Sequence, residues 1–268
     1  MTWLALLLGL CIGSFLNVVV WRVPRGESVV WPGSHCPRCG HDLPWNNNIP
    51  VLSWLVLRGR CQFCHGPISI EYPLIELLSG GLWALLAQQG VGRLGALDPL
   101  ANLLAGGLLL SFLLPLALID LRTMRLPEPL CRWGVICGLV LSAIAGFWLG
   151  SGSELLLWHA LAAATGLLVF EAISNLGEKL LGAPALGLGD AKLAALLGAW
   201  LGFQGLAMAC AVAVVLGAAF GLAGRLGGWL GPKEPFPFGP FLAVGGLLSW
   251  LACDALWALL INPGPMGL

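Results

Sequence analysis

The chain alternates long apolar runs with short polar joints, and the runs have the length of helices that cross a bilayer. Trp3 to Trp21 is uncharged, is closed by Arg22, and predicts a first span. Pro24, Gly26, Pro32 and Gly33 make the next stretch a loop, and this polar segment lasts until about Tyr72. Pro73 to Val91 is the second span, interrupted only by Glu76; Pro99 to Ile119 is the third, ended by Asp120. Trp133 to Ser153 is the fourth, and Leu155 to about Asn175, containing His159 and Glu171, the fifth. Leu193 to Gly224 has no charge and is too long for one crossing, and Gly202-Phe203-Gln204-Gly205 is its natural break. This predicts a sixth span from about Ala185 to Leu201, with Asp190 in it, and a seventh from about Leu206 to Gly224. Pro240 to Leu260, with Asp254 late in it, is the eighth. The expected fold is an all-α polytopic membrane protein of about eight transmembrane helices, with a long polar loop between helices 1 and 2.

Composition supports the membrane and says little of partners. Of 268 residues, 58% are apolar and 10% charged, and 13 basic residues balance 13 acidic ones, so bulk charge points to no nucleic-acid partner. Met1 to Trp21 has no basic residue ahead of its apolar run and no clear small-residue cleavage site, so it is read as a retained span rather than a removed signal peptide. With eight spans, every Lys and Arg except Arg93 falls on one set of loops or loop edges. Basic residues mark the cytoplasmic side. The long loop, Asp120 and Asp190 are therefore expected to face the cytoplasm, with both termini outside. The expected division is residues 1–21 as a first helix, 22–72 as the cytoplasmic loop, and 73–268 as a seven-helix membrane core.

Two chemical patterns stand out. Cys36-Pro-Arg-Cys39 and Cys61-Gln-Phe-Cys64 are two C-x2-C turns separated by 21 residues. Each turn can offer two thiolates on one face, and two turns complete the tetrahedral shell of a closed structural zinc site. A loop in a reducing compartment disfavours disulfides. His35, His41 and His65 are read as capping or hydrogen-bonding groups, and the other five cysteines (Cys11, Cys131, Cys137, Cys210, Cys253) as small buried residues.

The second pattern is a pair of acids. Asp120 ends the third span, and Asp190, in Gly187-Leu188-Gly189-Asp190, begins the sixth. Both fall near one membrane boundary, so the topology lets them meet, and two close carboxylates can share a proton and do general acid and base work together. The plain alternatives are ion pairing of Asp120 with Arg122 or Arg125, and capping of the following helix by Asp190. Glu171 and Asp254 are rival acids, Asp254 towards the opposite face, and Glu76 is a buried-acid candidate lining a pocket near span two.

Together with these patterns, a series of stretches resembles the type IV prepilin peptidases, bifunctional leader peptidase/N-methyltransferases. They are Gly13-Ser14-Phe15-Leu16-Asn17-Val18-Val19 with Arg22-Val23-Pro24, the two cysteine pairs with Asn48-Ile49-Pro50-Val51-Leu52-Ser53-Trp54 and Leu57-Arg58-Gly59-Arg60 between them, and Tyr72-Pro73-Leu74-Ile75-Glu76-Leu77-Leu78. Ile119-Asp120 with Leu126-Pro127, Gly187 to Leu193, and Pro237-Phe238-Gly239-Pro240-Phe241 complete the series.

The resemblance implies an intramembrane aspartic protease with Asp120 and Asp190 as its catalytic acids. It implies cleavage of the basic leader of prepilins or type II secretion pseudopilins, after a glycine, at the cytoplasmic face of a bacterial inner membrane. The new N-terminal amine is then methylated with S-adenosylmethionine. The four-cysteine loop is associated with methyl transfer and is expected to hold zinc on Cys36, Cys39, Cys61 and Cys64. No glycine-rich nucleotide turn marks the methyl donor's site; Gly59, beside Cys61, is the candidate for a close backbone contact. One departure is visible: Glu128 stands where the family usually has an aspartate, and is read as a supporting acid. Lys192 and Arg122 are expected to snorkel to headgroups. The rival readings are a leader peptidase without methyl transfer and a transporter or assembly scaffold with a zinc-stabilised loop. The second is disfavoured because no acid lies mid-membrane between the Asp120–Asp190 pair and the far face.

Overall fold

The computed structural model describes residues 1–88, 98–181, 187–231 and 234–261, with the side chains of 181 and 253–261 excepted. Eight helices account for most of them: α1 (Thr2–Arg22), the short α2 (Leu52–Val56), α3 (Glu71–Gln88), α4 (Pro99–Thr123), α5 (Glu128–Trp148), α6 (Glu154–Leu181), α7 (Leu188–Leu226) and α8 (Gly239–Ile261). Among the described residues there is no strand, only two isolated bridges. Five of the helices (α1, α4, α5, α6 and α7) are long and apolar enough to cross a membrane. The chain is thus an all-α polytopic membrane protein.

α7 has 39 residues, more than one crossing needs, and it bends at Gly202, where φ is 63° and ψ −171°. Only glycine enters that region without strain. The bend falls where the sequence predicts the break. α7 also explains why its sequence has no polar face: almost every residue from Ala191 to Gly202 is buried, and a helix apolar all round is one packed all round.

The chain forms two compact units, Met1–Gly90 and Val91–Leu268. In the first, α1 and α3 run against each other, closely because the contact residues are small. A Cβ on Gly9 would lie 2.6 Å from that of Trp83, and one on Gly13 2.8 Å from the Cα of Glu76. Ser79 Oγ donates to Gly9 O at 2.7 Å across the same seam.

In the second unit α7 is the centre, with α5, α6 and α8 packed on it, and α4 lies against α8. Gly198 and Gly245 let the backbones of Ala162 and Ala209 approach where a Cβ would collide. Several polar groups inside are matched: Trp200 Nε1 donates to Gly134 O (2.8 Å), and His159 Nδ1 lies 2.9 Å from Ser142 Oγ and 3.0 Å from Ala199 O. His159, in the expected fifth span, is therefore a structural histidine whose ring also backs the bend, 3.4 Å from a Cβ placed on Gly202.

Candidate active site and metal centre

Asp120 sits three residues before the end of α4, and Asp190 in the first turn of α7. Both are buried, at 5% and 8% exposure. They are near enough for their charges to act on each other. Two acids 70 positions apart in sequence are thus brought near each other, as the topology allows.

A backbone amide holds each carboxylate. Gly239 N–H donates to Asp120 Oδ2 at 3.0 Å, and Gly187 N–H donates to Asp190 Oδ2 at 3.1 Å. Asp190 N–H returns to Gly187 O at 3.0 Å, so Asp190 also closes the first turn of its helix. The capping alternative is therefore present at Asp190. The glycines matter for reach. A Cβ on Gly239 would stand 2.7 Å from Asp120 Oδ2, and one on Gly189 would stand 2.9 Å from Leu126 Cβ. The bare backbone at 189 lets the α4–α5 link rest on the start of α7, which fixes the two helix ends against each other.

Gly239 is placed by aromatic packing. Phe220, Trp229, Phe236 and Phe241 stack edge-on or tilted, with ring centroids 5.1–6.0 Å apart, and Phe238 lies 6.4 Å from Phe241. The cluster pins the segment entering α8 to the end of α7, so the Gly239 amide points at Asp120. Sequence reading marks this glycine only as part of a motif; a backbone donor has no side-chain signature.

Among the described residues, Glu128 makes no hydrogen bond to this pair. Its Oε2 takes Lys192 Nζ at 2.9 Å in a partly exposed ion pair. Lys192 is thus engaged by Glu128, because the first turn of α5 offers a carboxylate at hydrogen-bond distance. Of the rival acids, Glu171 is half-buried on α6, and the side chain of Asp254 lies outside the described residues.

In the first unit the two C-x2-C turns fold as matching knuckles. Cys36 N–H bonds His41 O and Cys61 N–H bonds Gly66 O, at 2.9 and 2.8 Å. The residue after the second cysteine of each turn, Gly40 or His65, has positive φ (69° and 55°). Cys36, Cys39, Cys61 and Cys64 bring their sulfurs within 4.8 Å of one another, and Cys36 and Cys64 are 3.8 Å apart. Zinc with bonds of about 2.3 Å to a tetrahedron of thiolates needs sulfurs about 3.8 Å apart, so the set fits a metal ion. Burial pushes the Cys36 thiol up, but hydrogen bonds from the Cys39 and Arg38 backbone and the Cys61 and Cys39 thiols bring it down to about 6. At Cys39 a backbone hydrogen bond from His41 is outweighed by desolvation and the adjacent Cys36 and Cys64 thiols, which raise it to about 11. The nearby histidines are used otherwise: His35 Nδ1 lies 3.1 Å from Gly33 O, and His41 stacks on Phe63.

Comparison with known proteins bears on both units. The family model "Bacterial Peptidase A24 N-terminal domain" matches residues 7–89, and "Type IV leader peptidase family" matches residues 107–222. Proteins named prepilin leader peptidase/N-methyltransferase are similar over most of the chain. The one from Burkholderia pseudomallei (strain 1026b) is 38% identical over 90% of this chain and 82% of its own. That from Aeromonas hydrophila is 36% identical over 94% and 91%. That from Myxococcus xanthus (strain DK1622) is 43% identical over 80% of this chain and 60% of its own. No solved structure matches.

Proposed function

The chain belongs to the type IV leader peptidase family, and from that premise we propose that it cuts the leader from prepilins or pseudopilins and then N-methylates the exposed amine. The observation that carries the proteolytic half is the buried Asp120–Asp190 pair, drawn from two helices and held by two glycine amides.

One carboxylate, ionised, takes a proton from water as the oxygen attacks the scissile carbonyl carbon. The other, protonated, gives its proton to the nitrogen as the C–N bond breaks. The products are a leader ending in a carboxylic acid and a mature chain with a free amine. The amides of Gly239 and Gly187 keep each carboxylate in place while the proton moves. Because both acids lie at helix ends, a substrate with a basic leader and an apolar helix can place its scissile bond at the membrane boundary. The basic-residue bias supports a cytoplasmic site in the bacterial inner membrane.

The methyl donor, S-adenosylmethionine, supplies an electrophilic methyl group on a cationic sulfur. The N-terminal unit, with its four-cysteine loop, is the part of the chain we assign to this second step. Zinc on Cys36, Cys39, Cys61 and Cys64 would be structural, because four thiolates leave no open position.

The test is to incubate the purified protein in detergent with a prepilin and S-adenosylmethionine and weigh the product, with Asp120→Asn, Asp190→Asn and Cys61→Ser alongside. A shortened, methylated product from the parent, with no cleavage by either Asp variant, is expected. Cleavage without methylation would reduce the function to a peptidase, and cleavage by both Asp variants would remove the pair from the chemistry.

A further inference from the structure

Below the cysteine knuckles, within the first unit, is a cavity of about 400 Å³ lined by α1, the polar loop and the start of α3. That volume suits a small organic ligand. Two buried charges line it. Glu76 and Arg22 are each 7% exposed. Glu76 Oε2 accepts from Val51 N–H at 2.7 Å. Val51 is bent to φ 61°, ψ −49°, and Leu52 N–H returns to Pro50 O at 2.6 Å, a γ-turn of the rare hand. A β-branched residue rarely stands there. The strained turn aims an amide at one carboxylate oxygen, and the Ser14 side chain also hydrogen-bonds the carboxylate.

Arg22 donates to Ser28 O (3.1 Å), Pro32 O (2.7 Å) and Gly33 O (3.0 Å). That uses three of the five guanidinium N–H donors. Among the described residues, the hydrogen-bond partners of Glu76 and Arg22 are all uncharged. A buried charge costs free energy unless an opposite charge meets it. Glu27 and Arg38 also line the cavity but are exposed; the buried pair, one anion and one cation each without a charged partner, is complementary to a ligand with both signs.

We propose that this cavity binds the methyl donor, with Glu76 set against its positive charge and the remaining Arg22 donors against its carboxylate. The proposal rests on the methyltransferase reading above. The indole of Trp54, held by Nε1–H to Ile68 O at 3.1 Å, forms one wall. Gly59 stands behind that wall: a Cβ there would lie 2.9 Å from Trp54 Cζ2, and Gly59 itself does not line the cavity. Its bearing on methyl transfer then runs through the indole rather than through contact with the ligand.

The experiment is calorimetric titration of the full-length, zinc-loaded protein in detergent. Two probes are used: S-adenosylmethionine, and 5′-methylthioadenosine, which keeps the nucleoside but loses the amino-acid end and the sulfonium charge. Glu76→Gln keeps the acceptor for Val51 and removes only the charge. It is expected to weaken S-adenosylmethionine about tenfold or more, the order of one charge-assisted contact, and methylthioadenosine by less than about threefold. Leu57→Trp fills the cavity and is expected to weaken both. An unchanged S-adenosylmethionine affinity in Glu76→Gln overturns the proposal, as does an equal loss for both probes in a Glu76→Gln protein that melts like the parent. If Glu76→Gln does not fold, Leu57→Trp decides: retained binding overturns the proposal. A parent that binds neither probe overturns the methyltransferase reading along with it, whereas a parent that binds and is indifferent to both variants overturns this inference alone.

Discussion

Asp120 and Asp190 were legible because an acid at the end of an apolar run is costly and so invites a reason. What orients them was not, because it comes from main-chain groups. Gly239 is the sharper case: a methyl at that position meets Asp120 Oδ2 at 2.7 Å, whereas a methyl on Gly187 stands 3.3 Å from Asp190 Oδ2. Gly239→Ala is therefore expected to lower leader cleavage roughly 100-fold, the effect of a carboxylate displaced by about an ångström, while methylation of an already processed peptide continues. Gly187→Ala, at φ −72°, should be much milder. Equal losses in the two would mean that proximity to the carboxylates does not set the effect. Glu128→Gln breaks an exposed ion pair with Lys192; the melting temperature should barely move, because exposed pairs contribute little.

Where the long helices lie, and the bend in α7, could be read from uninterrupted hydrophobicity and one glycine cluster; the expected sixth and seventh spans are one bent helix, and among the described residues five helices are long and apolar enough to cross. Packing order could not. The runs are apolar on every side, so their sequences do not say that α7 is central, that α1 pairs with α3, or that α4 meets α8. Those choices follow from where glycines and alanines leave room, a shape signal without periodicity. Gly202 gives a test at this scale. An alanine at φ 63°, ψ −171° is strained by about 1–3 kcal/mol, although its methyl would only reach ordinary contact with His159. The melting temperature of Gly202→Ala in detergent should fall accordingly; an unchanged value would mean that the bend relaxes into continuous helix.

At the scale of the molecule, the family matches and the packing agree on a break: the first match ends at residue 89 and the first compact unit at Gly90. Stripping the proposed zinc should accordingly loosen the cysteine loop to added protease while far-ultraviolet dichroism keeps most of its helical signal. The stripped loop should also show a stability maximum in pH. Cys36, lowered from 9.0 to about 6, adds stability that is complete above pH 9 and lost as pH falls through 6. Cys39, raised from 9.0 to about 11, adds stability that is complete below pH 9 and lost as pH rises through 11. The two together put the maximum near pH 9, which tryptophan-monitored unfolding across pH 6 to 11 would reveal; a steady decline from pH 7 would contradict it. The hydrogen bond from Gly239 to Asp120 spans 119 positions, and that span has a meaning in time. A ribosome reaches Asp120 long before Gly239, so a nascent chain carries its acids into the bilayer without the amide that orients one of them. Proteolytic competence should arrive with the last helix, and polypeptides arrested before residue 239 should be inert towards prepilins during their own insertion.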